Sequence, residues 1–237
     1  FVYLPHSMPH IPLYVPDEVR DPNPLNAYVN TIQHIDSEVG RLLRALDELK
    51  LSSNTYVIYT TDNGPWLPFR HHGGSAGPLR EGKGTTFEGG QRVPCVMRGP
   101  GIPAGTVCED LMGTIDILPT FAAITGQPLP KNKKIDGVDA SALLKGKGNP
   151  PRTEFLHYTS RGDLEGIRQG KWKLLMKKRK QKGKWVDEMM LFDLASDLAE
   201  SSNLSEEKPK VVSRLTSRML ELDAEIETNA RSPWYKE

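Results

Sequence analysis

A long amphipathic pattern lies between two short apolar runs near the start of the chain. Apolar residues recur at helical spacing from Leu25 to Leu49, and residues 21–24 in front of them offer a cap and a first-turn proline. The flanking runs are residues 1–4 and residues 55–61, and the second is β-branched and aromatic, as in a parallel strand covered on both faces. Strand, helix and strand in this order predict a βαβ unit and therefore an α/β fold.

Composition gives no reason to expect nucleic acid or a membrane as a partner. Lys and Arg total 31 and Asp and Glu total 30, so the formal net charge of +1 favours neither. No segment approaches the roughly 20 apolar residues that span a bilayer, so no membrane span is expected. The chain starts at Phe1 without a methionine or a signal sequence, and we expect the natural N-terminus to lie elsewhere.

Residues 64–91 predict a functional loop. They contain eight glycines and little periodicity, which suits a segment whose backbone closely approaches a ligand or another backbone. Strands over residues 92–97 and 106–111 should follow, and then a helix over residues 115–125 that stops at Gly126. Cys95 and Cys108 flank the turn between these two strands, so a disulfide and two buried free thiols are both compatible with the pattern.

A Pro-, Gly- and Lys-rich stretch over residues 128–152 predicts a boundary near residue 150. Beyond it, strand-like runs cover residues 155–159, 165–176 and 185–194, and a final amphipathic helix covers residues 209–229. The basic residues between the last two runs indicate a hairpin tip that is either simply solvated or binds a sulfated polysaccharide; they are Lys177, Lys178, Arg179, Lys180, Lys182 and Lys184.

The residues with chemical potential follow the predicted strands, at the sheet edge where α/β proteins bind ligands. Asp62 and Asn63 offer the carboxylate and amide oxygens that Ca²⁺ or Mg²⁺ prefers, although Asp-Asn-Gly is also a common turn. Lys83 lies between two glycines and could supply a positive charge to a tetrahedral oxyanion, or it could be merely solvated.

Histidines add a second candidate group. His10 lies on a loop bounded by two prolines, where its ring could donate to an anion or protonate a leaving oxygen, although a loop histidine is usually polar surface. A group of four residues could line a substrate pocket or pack within the loop; they are Trp66, Phe69, His71 and His72. The histidines could instead form a zinc site, but their spacing is not the one typical of zinc ligands. A hard cation, an ammonium and an imidazole together suit a phosphate or sulfate ester.

Several segments resemble the second half of type I sulfatases. The most specific are Thr61-Asp62-Asn63-Gly64-Pro65 and Gly82-Lys83-Gly84-Thr85-Thr86-Phe87-Glu88-Gly89-Gly90, and similar stretches cover residues 10–13, 115–120, 166–174 and 191–194. The resemblance extends over nearly the whole chain. It implies that residues 1–150 are part of an alkaline-phosphatase-like α/β/α sandwich and that residues 151–237 form a smaller antiparallel sheet with one helix.

The resemblance also implies roles for individual residues. Asp62 and Asn63 match two ligands of a single calcium ion, Lys83 matches the lysine that grips the sulfate, and His10 matches the histidine that contacts it from the other side. His72 is expected to bind substrate. The family's nucleophile is a formylglycine made in a Cys/Ser-x-Pro-x-Arg motif, and neither a cysteine nor a serine of this chain begins such a motif.

The expected function is therefore the C-terminal portion of a calcium-dependent sulfatase that acts on a sulfated small molecule or glycan. Its nucleophile and remaining ligands would come from an N-terminal segment of the same protein, so this chain alone should be inactive. The resemblance implies a secreted, periplasmic or lysosomal location. A phosphatase or phosphodiesterase of the same superfamily and a non-catalytic anion-binding module are the alternatives.

Overall fold

The computed structural model describes residues 1–181 and 183–231. The chain divides into two compact units, Phe1–Pro100 and Gly101–Glu237. The boundary that the sequence predicts near residue 150 stays a prediction. No helix among the described residues is both long enough and apolar enough to cross a membrane.

The first unit consists of one long helix, a two-stranded sheet and a glycine-rich loop. Helix α1 (Ala27–Glu48) confirms the amphipathic pattern, and Thr31 and Ile35 are its buried positions. Strand β1 (Val57–Thr60) pairs antiparallel with β2 (Cys95–Arg98). Between the two strands lie a pair of 3₁₀ turns, Leu67–His72, and the short helix α2, Glu88–Gln91.

Two strands expected from the sequence do not form. Residues 1–4 are irregular, and Val2, Tyr3 and Leu4 are between 53% and 78% exposed. Residues 106–111 are also irregular. A strand needs a neighbour for its ladder of hydrogen bonds, and in the described part of the chain β1 finds its neighbour in the antiparallel β2. The βαβ prediction is therefore wrong in its first strand, whereas the α/β class is confirmed.

The second unit contains two short helices and a four-stranded antiparallel sheet covered by a helix. Its elements are α3 (Ile117–Thr125), α4 (Ser141–Leu144), β3 (Glu154–Tyr158), β4 (Leu164–Gln169), β5 (Trp172–Gln181), β6 (Lys184–Asp193) and α5 (Pro209–Asn229). The strand order is β3-β4-β5-β6. Helix α3 ends at Gly126 in the left-handed conformation (φ 67°), which confirms the predicted stop.

The core of this unit lies between the sheet and α5. Ile167, Leu174 and Leu191 come from three adjacent strands and pack with Leu215 and Met219 of the helix, and all five are fully buried. The antiparallel sheet with one helix is thus confirmed. Two details differ: residues 165–176 are two strands separated by a turn at Gly170 (φ 57°), and the basic run begins inside β5 and not in a loop.

Both cysteines are free and exposed. The disulfide is therefore not formed, and the alternative of two buried thiols is not met either. Cys95 lies at the start of β2, but the segment that carries Cys108 does not return as the second strand of a hairpin.

Candidate anion- and cation-binding site

The turn after β1 presents two oxygen-bearing side chains. Asp62 is exposed, and among the described residues its Oδ1 accepts only a long hydrogen bond of 3.4 Å from the Thr61 hydroxyl. Asn63 donates its Nδ2 to the Gly64 carbonyl at 2.8 Å. That bond uses the nitrogen side of the amide and leaves Oδ1 as the atom that can bind a cation.

Glycines allow the loop backbone to fold closely on itself beside this turn. A Cβ atom at Gly64 would lie 1.7 Å from the Gly89 carbonyl oxygen, and one at Gly82 would lie 2.3 Å from the Pro65 carbonyl oxygen. Any larger residue at these two positions would push the two backbone segments apart. The Gly64 amide donates to the Gly90 carbonyl at 3.2 Å, which ties the turn to α2.

Lys83 is held against the same turn by its backbone. Its amide donates to the Pro65 carbonyl at 2.9 Å, and the lysine is half-buried. Its Nζ lies 5.2 Å from the centroid of the Trp66 ring, within the range of a cation–π contact. The glycines predicted to let the backbone approach a ligand thus also bring Lys83 next to the Asp62-Asn63 turn.

His10 reaches the same indole from a distant part of the sequence. Its ring centroid lies 5.9 Å from that of Trp66. Its Nδ1 is 2.7 Å from the Ile11 carbonyl oxygen, and because a carbonyl can only accept, Nδ1 carries a proton. The Nε2 atom is therefore the one that can contact a ligand, as an acceptor when the ring is neutral or as a donor when it is protonated.

Trp66 is the residue whose role the sequence left open. Its ring contacts His10 and Lys83 and also stacks at a tilt on Phe69, with centroids 4.5 Å apart. Trp66 remains 37% exposed, so one part of it faces solvent next to the His10 and Lys83 side chains. No local pattern could reveal this, because His10 lies far from Trp66 in the sequence.

His72 is placed differently from the other candidates. Its Nε2 donates to the Pro24 carbonyl at 2.8 Å, so that nitrogen fastens the loop to the 3₁₀ helix Pro24–Asn26. None of the described contacts links the His72 side chain to Trp66, His10 or Lys83. Its role in substrate binding stays a prediction.

The described side chains do not complete a site for either calcium or zinc. Across residues 1–181 and 183–231, no group of three or more His, Cys, Asp or Glu side chains is arranged to hold a metal ion. Asp62 and Asn63 are oxygen ligands from one turn, which fits calcium but supplies only part of the six to eight ligands it takes. The remaining ligands would have to come from outside this pair.

A basic side chain and an imidazole lie on one indole, beside a turn with two oxygen-bearing side chains, and these are groups that can bind an anion and a cation. A model of the sulfatase family matches residues 1–127, and a model described as the C-terminal part of N-sulphoglucosamine sulphohydrolase matches residues 82–225. The chain belongs to the sulfatase family.

Individual relatives agree with this assignment. Human arylsulfatase A is 38% identical over 177 residues, which cover 73% of this chain and 35% of the relative. Rat arylsulfatase G is 32% identical over 234 residues, which cover 89% of this chain and 44% of the relative. The solved structure of PsFucS1 sulfatase from Pseudoalteromonas sp. superposes with a TM-score of 0.75 at 28% identity, over 86% of this chain and 44% of that one. The chain thus spans less than half the length of these relatives.

Proposed function

We propose that this chain is the C-terminal portion of a calcium-dependent sulfatase that hydrolyses sulfate esters. The observation that carries the proposal is the meeting of Lys83 and His10 on the Trp66 ring, beside the turn that presents Asp62 and Asn63. The family assignment supports the same reaction.

Lys83 would bind the sulfate group as a point charge. A sulfate ester carries one negative charge, and further charge develops on the ester oxygen as the sulfur–oxygen bond breaks. An ammonium that is already fixed by its backbone bond to Pro65 and by the Trp66 ring stabilises that charge without having to reorganise.

His10 would act on the other side of the sulfate group. With Nδ1 donating to the Ile11 carbonyl, the ring is oriented and Nε2 is free to contact a sulfate or ester oxygen. A protonated ring would donate at Nε2 and could hand its proton to the leaving oxygen, as general acid catalysis requires.

Asp62 and Asn63 would hold the calcium ion through Oδ atoms. The ion, when bound, supplies positive charge that polarises the sulfate oxygens. The exposed carboxylate of Asp62 and the Oδ1 of the half-buried Asn63 both suit this role, because neither accepts a strong hydrogen bond among the described residues.

The nucleophile would come from outside these 237 residues, which contain no Cys/Ser-x-Pro-x-Arg motif. A formylglycine there would supply the hydroxyl group that attacks sulfur. The same segment would supply the remaining calcium ligands. The substrate would be a sulfated small molecule or glycan, and the location would be secreted, periplasmic or lysosomal.

Replacing Lys83 tests the proposal most simply. In the complete protein, Lys83→Ala should lower kcat/KM for an aryl sulfate by roughly 10²- to 10³-fold, the usual cost of removing one group that stabilises transition-state charge. Lys147→Ala is a matched control, because Lys147 is also flanked by glycines but is exposed in the other unit. Steady-state kinetics would measure both variants, and an unchanged kcat/KM for Lys83→Ala would contradict the assigned role.

A further inference from the structure

The outer half of the β5–β6 hairpin is a strongly charged surface that the proposed reaction does not use. We call residues 177–181 and 183–187 the outer hairpin. The inner half of the hairpin is packed, with Leu174, Leu175, Leu191 and Phe192 fully buried. In the outer hairpin every described residue except the half-buried Lys177 is exposed.

Positive charge in the outer hairpin exceeds the negative charge around it. Its described cations are Lys177, Lys178, Arg179, Lys180 and Lys184. Two of the five pair with carboxylates, Lys177 with Glu165 at 2.7 Å and Arg179 with Glu188 at 3.3 Å. No ion pair is found for the other three within the part of the chain that the structure describes. Lys182 lies outside the described residues.

The pairing register places an aromatic ring among these unpaired lysines. Lys180 lies opposite Trp185, and Lys178 lies opposite Asp187. Directly opposed residues share a face of an antiparallel pair, and residues two apart on one strand share that face as well. One face therefore carries Lys178, Lys180, Asp187 and Trp185, and Trp185 is 69% exposed. Lys184 lies opposite Gln181 and belongs to the other face.

Lys180 and Trp185 are both exposed and gain little from the fold itself. Lys178 faces the opposite charge of Asp187, but Lys180 has no carboxylate opposite it and is repelled by Lys178 on the same face. An indole that is left in water also gives up the stabilisation that its burial would bring. An anionic partner with an apolar face would remove both costs.

We infer that the outer hairpin binds a sulfated polysaccharide. The sulfate groups of such a chain would pair with Lys178 and Lys180, and the C–H face of a sugar ring would stack on Trp185. The inference rests on the proposed function, because a sulfatase that acts on a polymer gains from holding the polymer at a second place. It names the substrate class as a sulfated glycan and not a small sulfate ester.

Nucleic acid is the competing polyanion. It is disfavoured because the chain as a whole carries a net charge of only +1 and because its family acts on sulfate esters. The two polyanions differ in what they offer to Trp185, a sugar ring or a base, and the test includes both.

Binding of dextran sulfate to the complete protein tests the inference. Replacing Lys178 and Lys180 together by Ser should raise the Kd roughly five-fold in about 0.1 M salt, the combined effect of two exposed charge contacts. Replacing Lys131 and Lys133 by Ser removes the same charge from exposed positions elsewhere and should leave the Kd within about two-fold. Trp185→Ser should weaken binding several-fold without changing the charge.

The outcomes separate this inference from the proposed function. Unsulfated dextran should not bind, and turnover of a small aryl sulfate should be unchanged in every outer-hairpin variant, which also shows that they fold. Equal dextran sulfate binding by the wild type and the outer-hairpin variants would overturn the inference while leaving the sulfatase proposal intact. Equal or tighter binding of single-stranded DNA, whose bases are free to stack on an indole, with the same dependence on these residues, would also overturn it. If the complete wild-type protein showed no aryl sulfate turnover, the result would count against the proposed function alone.

Discussion

The purified 237-residue chain should show no turnover of an aryl sulfate above buffer, even with saturating calcium. Lys83 and His10 can only stabilise charge that an attacking group creates. The 237 residues contain no Cys/Ser-x-Pro-x-Arg motif that could yield the formylglycine nucleophile. We therefore expect sulfatase activity to be absent and not merely reduced.

The surface of the first unit supports this prediction. In β1 and β2, Tyr59 is 41% exposed and Val96 is 66% exposed. Within the described residues β1 pairs on one edge only, so its other edge can accept a further strand. A longer polypeptide that covers this two-stranded sheet would bury Tyr59 and Val96 and pair the second edge of β1.

Adding the upstream segment, together with conversion of its cysteine or serine to formylglycine, should restore turnover. Circular dichroism of the isolated chain should be recorded beside the assay to establish that it is folded. Clear calcium-dependent turnover by the folded isolated chain would refute the placement of the nucleophile outside these residues.

Asp62→Ala in the complete protein should abolish both calcium binding and turnover. Of the two proposed ligands, Asp62 and Asn63, Asp62 is the one that carries a formal negative charge. Its carboxylate accepts no strong hydrogen bond among the described residues, so its proposed role is to bind the metal. Calcium stoichiometry should fall from one ion to near zero. Because the metal's charge stabilisation amounts to several kcal/mol, kcat should fall by roughly 10³-fold or more.

Isothermal titration calorimetry with calcium measures the first effect, and steady-state kinetics measures the second. Asp36→Ala is the control, because Asp36 is an exposed residue of α1 and should change neither quantity. Calcium binding with unchanged stoichiometry and affinity in Asp62→Ala would remove Asp62 from the metal site.

Much of the fold could be predicted because its signals are local. The periodicity of α1 and α5 and the left-handed Gly126 at the end of α3 each depend on neighbouring residues alone. Strand pairing depends on partners, and this is where prediction failed. Residues 1–4 have the composition of a strand but no neighbouring strand among the described residues.

The hairpin shows a second limit of local reasoning. Lysine-rich sequence is typical of a solvated loop, yet Lys177–Lys180 continue β5 because β6 runs opposite them in unbroken register. Cross-strand hydrogen bonds outweigh the weak β propensity of lysine in this position.

For the candidate site, residue types were predictable but their arrangement was not. The glycines around Lys83 indicated close backbone approach, and the contacts of Gly64 and Gly82 agree with that interpretation. The convergence of His10 and Lys83 on Trp66 depends on how distant loops meet, which no spacing in the sequence encodes. The roles of these residues in binding and catalysis stay predictions.

The central claim is that the site serves sulfate esters and not phosphate esters. The most direct measurement compares kcat/KM of the complete, formylglycine-converted protein for nitrophenyl sulfate and nitrophenyl phosphate in the presence of calcium. We predict that sulfate ester hydrolysis dominates and that it requires one calcium ion per chain. Dominant phosphate ester hydrolysis, with two bound metal ions and no measurable sulfate release, would contradict the account and favour a phosphatase of the same superfamily.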